Sequence, residues 1–378
     1  MAMAWQLRLK DGAVVGLPRA LLFYELYPFW RGLLEGLGLR VAVSTATSPK
    51  LIEAGARHAM DEACLPVKSF YGHVMVLRDR VDAVFLPRLV SLSPGTYTCP
   101  KMLGLPDMVR QNLRSLPPVI VADFDARLWR RSLEEGGESV ACRLGRSRGQ
   151  AREAVSRGLE ALRSFRGSLE AGQSFEEAAS GAAPGWKTPL EGWKTPLEGW
   201  KTPLEGWKAP LAGGDPAPTR PGPRRLRVGL VGHAYNLFDP GVNLGLGRKL
   251  VALGCDLVTS EQLSEEEVQT ESAALPKEIF WSSGRRILAA VTRFRRRELV
   301  DGFIHVVSFG CGPDSMVGEI AERETRRSSN LPYMALTIDE HTAEGGLLTR
   351  LEAFTDMLAR RRARPETPEG SVAAEVTA

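Results

Sequence analysis

Apolar residues along this chain fall into short runs closed by turn-forming residues, and the runs alternate with longer stretches of helical spacing. Ala13, Val14, Val15, Gly16 and Leu17 read as a strand, residues 20–36 place Leu, Tyr, Phe and Trp at helical intervals, and residues 39–44 read as a second strand. The same order returns downstream, with a strand at 228–231, a helix at 242–253 and a strand at 255–260. Two further apolar runs follow in each part, at 81–87 (VDAVFLP) and 118–124 (PVIVADF), then at 302–308 (GFIHVVS) and 332–338 (PYMALTI). Their continuous apolar character suits strands covered on both faces. Helical spacing lies between them at 51–60, 147–164, 285–294 and 347–361. The pattern predicts an α/β protein made of two doubly wound, Rossmann-like or flavodoxin-like lobes with parallel sheets, related by approximate internal duplication. In such folds ligands sit beyond the carboxyl ends of strands, so the loops that follow strands are where chemistry is expected.

One segment breaks the pattern. GWKTPLE occurs at 185–191, 192–198 and 199–205, followed by GWKAPLA at 206–212. A seven-residue period invites a coiled coil, but every unit carries Gly and Pro, which cost a helix interior roughly 1 and 3 kcal/mol. With Gly-, Pro- and Ala-rich flanks, residues 167–225 read as a disordered or polyproline-like linker, and the repeat as an expanded insertion or a Trp/Pro ligand for a partner domain. The expected organisation is a first lobe at 1–166, the linker at 167–225, a second lobe at 226–364 and a disordered tail at 365–378.

Composition narrows the function classes. A net charge of +4 over 378 residues is too small to argue for nucleic acid, and no apolar run approaches the roughly 20 residues of a spanning helix. The arginine triplets at 295–297 and 360–362 fall on predicted helices and read as solvated faces or docking surfaces. The five cysteines, Cys64, Cys99, Cys142, Cys255 and Cys311, are odd in number and widely spaced, and the amino-terminal sequence carries no leader signature. A disulfide framework is therefore not expected, and a reducing cytoplasm is.

Cys64 (DEACLPVK), Cys99 (YTCPK) and Cys311 (SFGCGPDS) occupy loop-like contexts, whereas Cys255 falls within a strand and Cys142 beside a polar stretch. Three converging thiolates can bind zinc, ligate an iron–sulfur cluster or be unrelated. Structural zinc usually draws on close C-x₂-C pairs, which are absent, while a cubane accepts ligands from separate loops. Gly310 and Gly312 allow close approach around Cys311, and Pro66 and Pro100 stiffen the other two loops.

The stretches GLPRALLFYELYPFW, DEACLPVKSFYGHV, YTCPKMLGLPDM, GHAYNLFDPGVN, DGFIHVVSFGCGPDS and TIDEHTAEGGLLTRLEAF resemble a family of anaerobe proteins related to CoA-substrate-specific enzyme activases. That family looks like a branch of the 2-hydroxyacyl-CoA dehydratase / benzoyl-CoA reductase subunit superfamily, which includes the double-cubane cluster proteins. The resemblance implies a [4Fe–4S] cluster on Cys64, Cys99 and Cys311, alone or within a bridged double cubane, with one iron left without a protein thiolate. It also implies a separate ATP-hydrolysing iron–sulfur activator as partner, an acyl-CoA substrate and a dimeric arrangement. No Walker-type phosphate loop is present, in keeping with ATP hydrolysis in trans, and no G-x-G-x-x-G follows either opening strand. A non-catalytic electron-transfer or scaffold role is the alternative expectation.

Polar residues near these loops complete the candidate set. Lys68 and His73 follow Cys64 on a predicted helix, and His233, Tyr235, Asn236 and Asp239 follow the strand at 228–231. In DEHTAE at 339–344, His341 is the candidate for proton handling because imidazole is the side chain suited to proton transfer near neutral pH, and Arg350 is a candidate positive charge.

Overall fold

A computed structural model describes residues 7–127, 132–182, 225–275 and 277–363. The heptad repeat at 185–212 and the tail at 365–378 lie outside these residues. The first lobe runs β1 (Val14–Leu17), α1 (Phe23–Gly36), β2 (Arg40–Val43), α2 (Pro49–Ala56), α3 (Leu65–Leu77), β3 (Ala83–Phe85), β4 (Arg88–Ser91), α4 (Pro100–Leu103) and α5 (Leu105–Asn112). It continues through β5 (Val119–Ile120), β6 (Asp123–Asp125), α6 (Ser132–Arg143), α7 (Arg148–Glu170) and α8 (Phe175–Gly181). The second lobe runs β7 (Leu226–Gly232), α9 (Ala234–Phe238), α10 (Leu246–Ala252), β8 (Cys255–Thr259), α11 (Glu265–Ala273), α12 (Ser282–Arg296), β9 (Gly302–Ser308), α13 (Gly312–Ser328), β10 (Tyr333–Ile338) and α14 (Glu344–Ala363).

Each lobe holds a four-stranded parallel sheet, ordered β2-β1-β3-β5 in the first and β8-β7-β9-β10 in the second. Counting only the strands of each four-stranded sheet, both orders are 2-1-3-4, in keeping with the duplicated sequence pattern. In both, the chain direction across the sheet reverses beside the opening strand, which leaves a crevice at the carboxyl ends of β1 and β3, and of β7 and β9. The first lobe adds a parallel pair, β4 with β6.

Three local expectations are corrected. The apolar run at 118–124 is two strands in two sheets, because the chain steps from β5 beside β3 to β6 beside β4. The predicted helix at 242–253 begins only at Leu246, since Asn243 turns the preceding backbone by accepting from the amides of Gly245 and Leu246. The linker does not begin at residue 167. Helix α7 continues to Glu170, and α8 follows with a Ser174–Glu177 capping box. Phe175 of α8 holds this segment down by packing against Tyr24 and Phe165 and stacking on Phe238 of the second lobe, with ring centroids 5.5 Å apart.

One apolar core runs through both lobes, from Trp30, Phe85 and Phe124 in the first to Val228, Ile304 and Leu336 in the second, and a smaller cluster around Ile287, Phe294 and Phe303 lies within the second lobe. The position of Cys64 depends on how closely α3 lies against α2. A Cβ at Gly55 would fall 1.9 Å from the Lys68 carbonyl oxygen, and one at Gly72 would fall 2.2 Å from that of Leu51. Only glycine permits this approach of two backbones. Gly55→Ala and Gly72→Ala are each expected to lower stability by about 1–3 kcal/mol or more in denaturant unfolding. Gly149→Ala, near the start of α7 with its nearest neighbour 3.9 Å away, should be neutral or stabilising.

Candidate functional site

Cys64, Cys99 and Cys311 occupy equivalent places in their local structures. Each is the residue immediately before a helix, α3, α4 and α13 respectively, with extended backbone and a proline in the first two helical positions. Proline suits these positions because the first amides of a helix have no intrahelical acceptor. The amides that remain face sulfur: Val67 towards Cys64, Lys101 and Met102 towards Cys99, and Asp314 towards Cys311. A run of unpaired N–H groups at a helix start favours negative charge there.

The three loops are tied together. Lys101, next to Cys99, donates from Nζ to the Glu62 carbonyl at 2.6 Å and to the Gly310 carbonyl at 3.2 Å, one on each of the other two cysteine loops. Gly310 adopts a left-handed backbone (φ +74°) that turns the chain from β9 into the Cys311 loop, whereas Gly312 has no such constraint. Tyr235 from α9 is buried, and burial, followed by the charge of Cys311, Cys64 and Cys99, pushes its pKa well up. Burial pushes the Cys64 thiol up to about 11 and raises Cys99 and Cys311 as well. The thiols are therefore held neutral, and a metal binding them would have to displace their protons.

Cys311 has a polar surround of its own. His233, directly after β7, places Nε2 3.7 Å from the Cys311 sulfur and 3.3 Å from Asp314 Oδ1. His305 of β9 places Nε2 3.8 Å from Asp314 Oδ1, and its Nδ1 meets the Tyr333 hydroxyl at 2.9 Å. Asp314 is 1% exposed. Burial works against its charge, but His233 and His305 together hold its carboxyl below the usual range. Neither Asp314 nor His305 stood out in the sequence; the available signal was the spacing Cys311-x-x-Asp314 at the start of a helix.

The other candidates lie elsewhere on the seam between the lobes. Lys68, one turn beyond Cys64, pairs with Glu340 at 2.5 Å and so pins the 339–342 loop to α3. His341 beside it is exposed, its backbone amide held by Asp339. His73 is fully buried, with Nδ1 2.8 Å from Ser44 Oγ and Nε2 3.0 Å from Thr47 Oγ1, and Thr47 donates at 2.6 Å to Asp239 of the second lobe. Asn236 braces the end of β9 by accepting from Ser308 and donating to the Val306 carbonyl. Cys255 is buried within β8, and Cys142 is exposed on α6. The arginine triplets fall at the ends of α12 and α14, where positive charge offsets the unpaired carbonyls.

Fold and site together define a two-lobed parallel α/β protein in which three helix-start cysteine loops are tied together where the lobes meet. The model of the CoA enzyme activase uncharacterised domain matches residues 14–263, more than half of the chain, and the chain belongs to that family. No curated protein matches it. Among the described residues no helix is long and apolar enough to cross a membrane.

The seam network has a pH signature. Burial, reinforced by the charge of Arg19, lowers the His73 pKa to about 3, against roughly 6.5 for the unfolded chain. Between those values the unfolded chain binds more protons, so this residue's contribution to stability is lost as pH falls from 6.5 towards 3. The slope for one such proton is about 1.4 kcal/mol per pH unit. In urea unfolding, the stability advantage of the wild type over His73→Gln should shrink between about pH 7 and pH 4.5. A gap that does not change with pH would show that His73 is not held neutral.

Proposed function

We propose that this protein carries a [4Fe–4S] cluster on Cys64, Cys99 and Cys311 and works in an ATP-coupled, low-potential reduction or dehydration system related to the 2-hydroxyacyl-CoA dehydratases. The observation that carries the reading is the shared placement of the three cysteines, each at the start of a helix with amides facing its sulfur, joined by Lys101. The residues suit the group. Three thiols from three separate segments match a cubane with one iron free of protein thiolate, and N–H donors towards cluster sulfur tune reduction potential. Two of these segments belong to the first lobe and one to the second, so a bound cluster would also fasten the lobes.

When bound, such a cluster supplies a one-electron, low-potential centre. The chain's own residues do the rest. Lys101 and the helix-start amides offset the negative charge of the thiolates. Tyr235 and the surrounding core exclude water, while Lys68 and Glu340 hold the 339–342 loop over α3. ATP hydrolysis falls to a separate iron–sulfur activator in the same cytoplasm, and an acyl-CoA thioester is the substrate class. His341, exposed on that loop, is the proposed proton-handling residue; His73 and Lys68 support the seam.

Anaerobically purified full-length protein should contain roughly four iron and four sulfide per chain. Replacing Cys64, Cys99 or Cys311 by Ser should remove most of that iron, whereas Cys142→Ser and Cys255→Ser should retain it. Iron-free protein after anaerobic reconstitution, or equal tolerance at all five positions, would defeat the assignment. An intact, reducible cluster that turns over no acyl-CoA thioester with its ATPase would identify an electron-transfer component instead.

A further inference from the structure

Around Cys311 the donor atoms crowd more closely than a shared cubane requires. His233, Cys311 and Asp314 each offer one ligand atom, and the three atoms lie within 4.8 Å of one another, all buried. The sulfur–nitrogen separation is 3.7 Å and the nitrogen–oxygen separation 3.3 Å. Zinc bonds to sulfur at about 2.3 Å and to nitrogen and oxygen at about 2.0 Å, so the edges of a tetrahedral site come to about 3.5 and 3.3 Å. Ligands on two different irons of a cubane stand farther apart than this. We infer that Cys311, His233 and Asp314 form a single-ion site for a divalent transition metal of the zinc type.

Hydrogen bonding supports the same conclusion. Neither carboxylate oxygen of Asp314 accepts a well-aligned hydrogen bond from the protein, although His233 Nε2 lies 3.3 Å from Oδ1, and His233 Nδ1 and His305 Nε2 likewise have no protein partner. A carboxylate buried with so little hydrogen bonding is poorly accommodated, and a cation among these groups would offset that. The charges balance: a thiolate and a carboxylate around a divalent ion leave the buried site neutral once the Cys311 proton departs. A sulfur, imidazole and carboxylate set selects zinc, iron(II) or cobalt(II) over magnesium or calcium.

The fold orients each donor. His233 is fixed by stacking on Tyr235, with ring centroids 4.8 Å apart and planes within 9°. His305 stands behind Asp314, positioned by Tyr333 and admitted by Gly318, where a Cβ would come within 3.1 Å of its ring. At 3.8 Å its Nε2 lies just beyond hydrogen-bond distance of Asp314 Oδ1, the place of an outer residue that would aim the carboxylate once it ligates an ion. This site does not rest on the cluster proposal. Because Cys311 serves in both, the ion is proposed for the chain without a cluster and the cluster for the assembled protein.

The test uses full-length protein stripped of metal under anaerobic conditions and titrated with Co²⁺ alone, read by visible absorption, with far-UV circular dichroism to confirm folding. One Co²⁺ per chain should bind with tetrahedral bands and a thiolate charge-transfer band, and Zn²⁺ should displace it. Cys64→Ser and Cys99→Ser should change affinity less than about threefold. His233→Gln and Asp314→Asn should weaken it more than tenfold, His305→Gln about 10- to 100-fold, and Cys311→Ser should abolish the charge-transfer band. Loss of binding in Cys64→Ser or Cys99→Ser would assign the ion to the thiol triad and overturn the site, as would undiminished binding in folded His233→Gln and Asp314→Asn. Failure of the cluster reading is seen separately, in the iron and sulfide content of Cys64→Ser.

Discussion

Lys101 ties two cysteine loops of the first lobe to one of the second, and that tie lasts only while the seam between the lobes stays closed. Several interactions of different kinds close it. The apolar core is continuous across it, with Phe175 stacked on Phe238. Backbone bonds join Tyr97 to Phe280 and Ser282 to Tyr97, directly ahead of Cys99. Thr47 reaches Asp239, Lys68 reaches Glu340, and Lys101 holds the Gly310 carbonyl beside Cys311. Exposed ion pairs alone would contribute little to such a seam; apolar burial and hydrogen bonds between buried groups dominate.

Electrostatics then decide what the closed centre accepts. Burial keeps the thiols protonated and neutral, while helix-start amides and Lys101 wait on the side where negative charge would develop. The environment is costly for an empty thiolate and favourable for a metal-bound one. Asp314 and the two histidines apply the same logic around Cys311, where partnerless polar atoms mark a place built for positive charge.

Much of the fold was legible in the chain because buried parallel strands need continuous apolar runs, and these runs stand out at Val14–Leu17, Leu226–Gly232, Gly302–Ser308 and Tyr333–Ile338. The run at 118–124 was misread as one strand because periodicity carries no information about which sheet a residue joins. Helix α7 ran past residue 166 because Gly167 is tolerated in a helix whose far end is packed, a fact about Phe165 and Phe175 rather than about local propensity.

By itself, the sequence determined the duplicated α/β plan, the distinction between three loop cysteines and two others, and a proline after each of the three. These follow from local chemistry: apolar period, turn residues and helix-start preferences. The tertiary structure alone decided which polar groups share a space. It set His73 between Ser44 and Thr47, paired Lys68 with Glu340, left His341 in solvent and brought Asp314 and His305 together with Cys311. Most of those neighbours lie tens to hundreds of residues apart, and Cys311, Asp314 and His305, though within nine residues, meet only through the fold of α13 against β9, so packing rather than local sequence makes them adjacent.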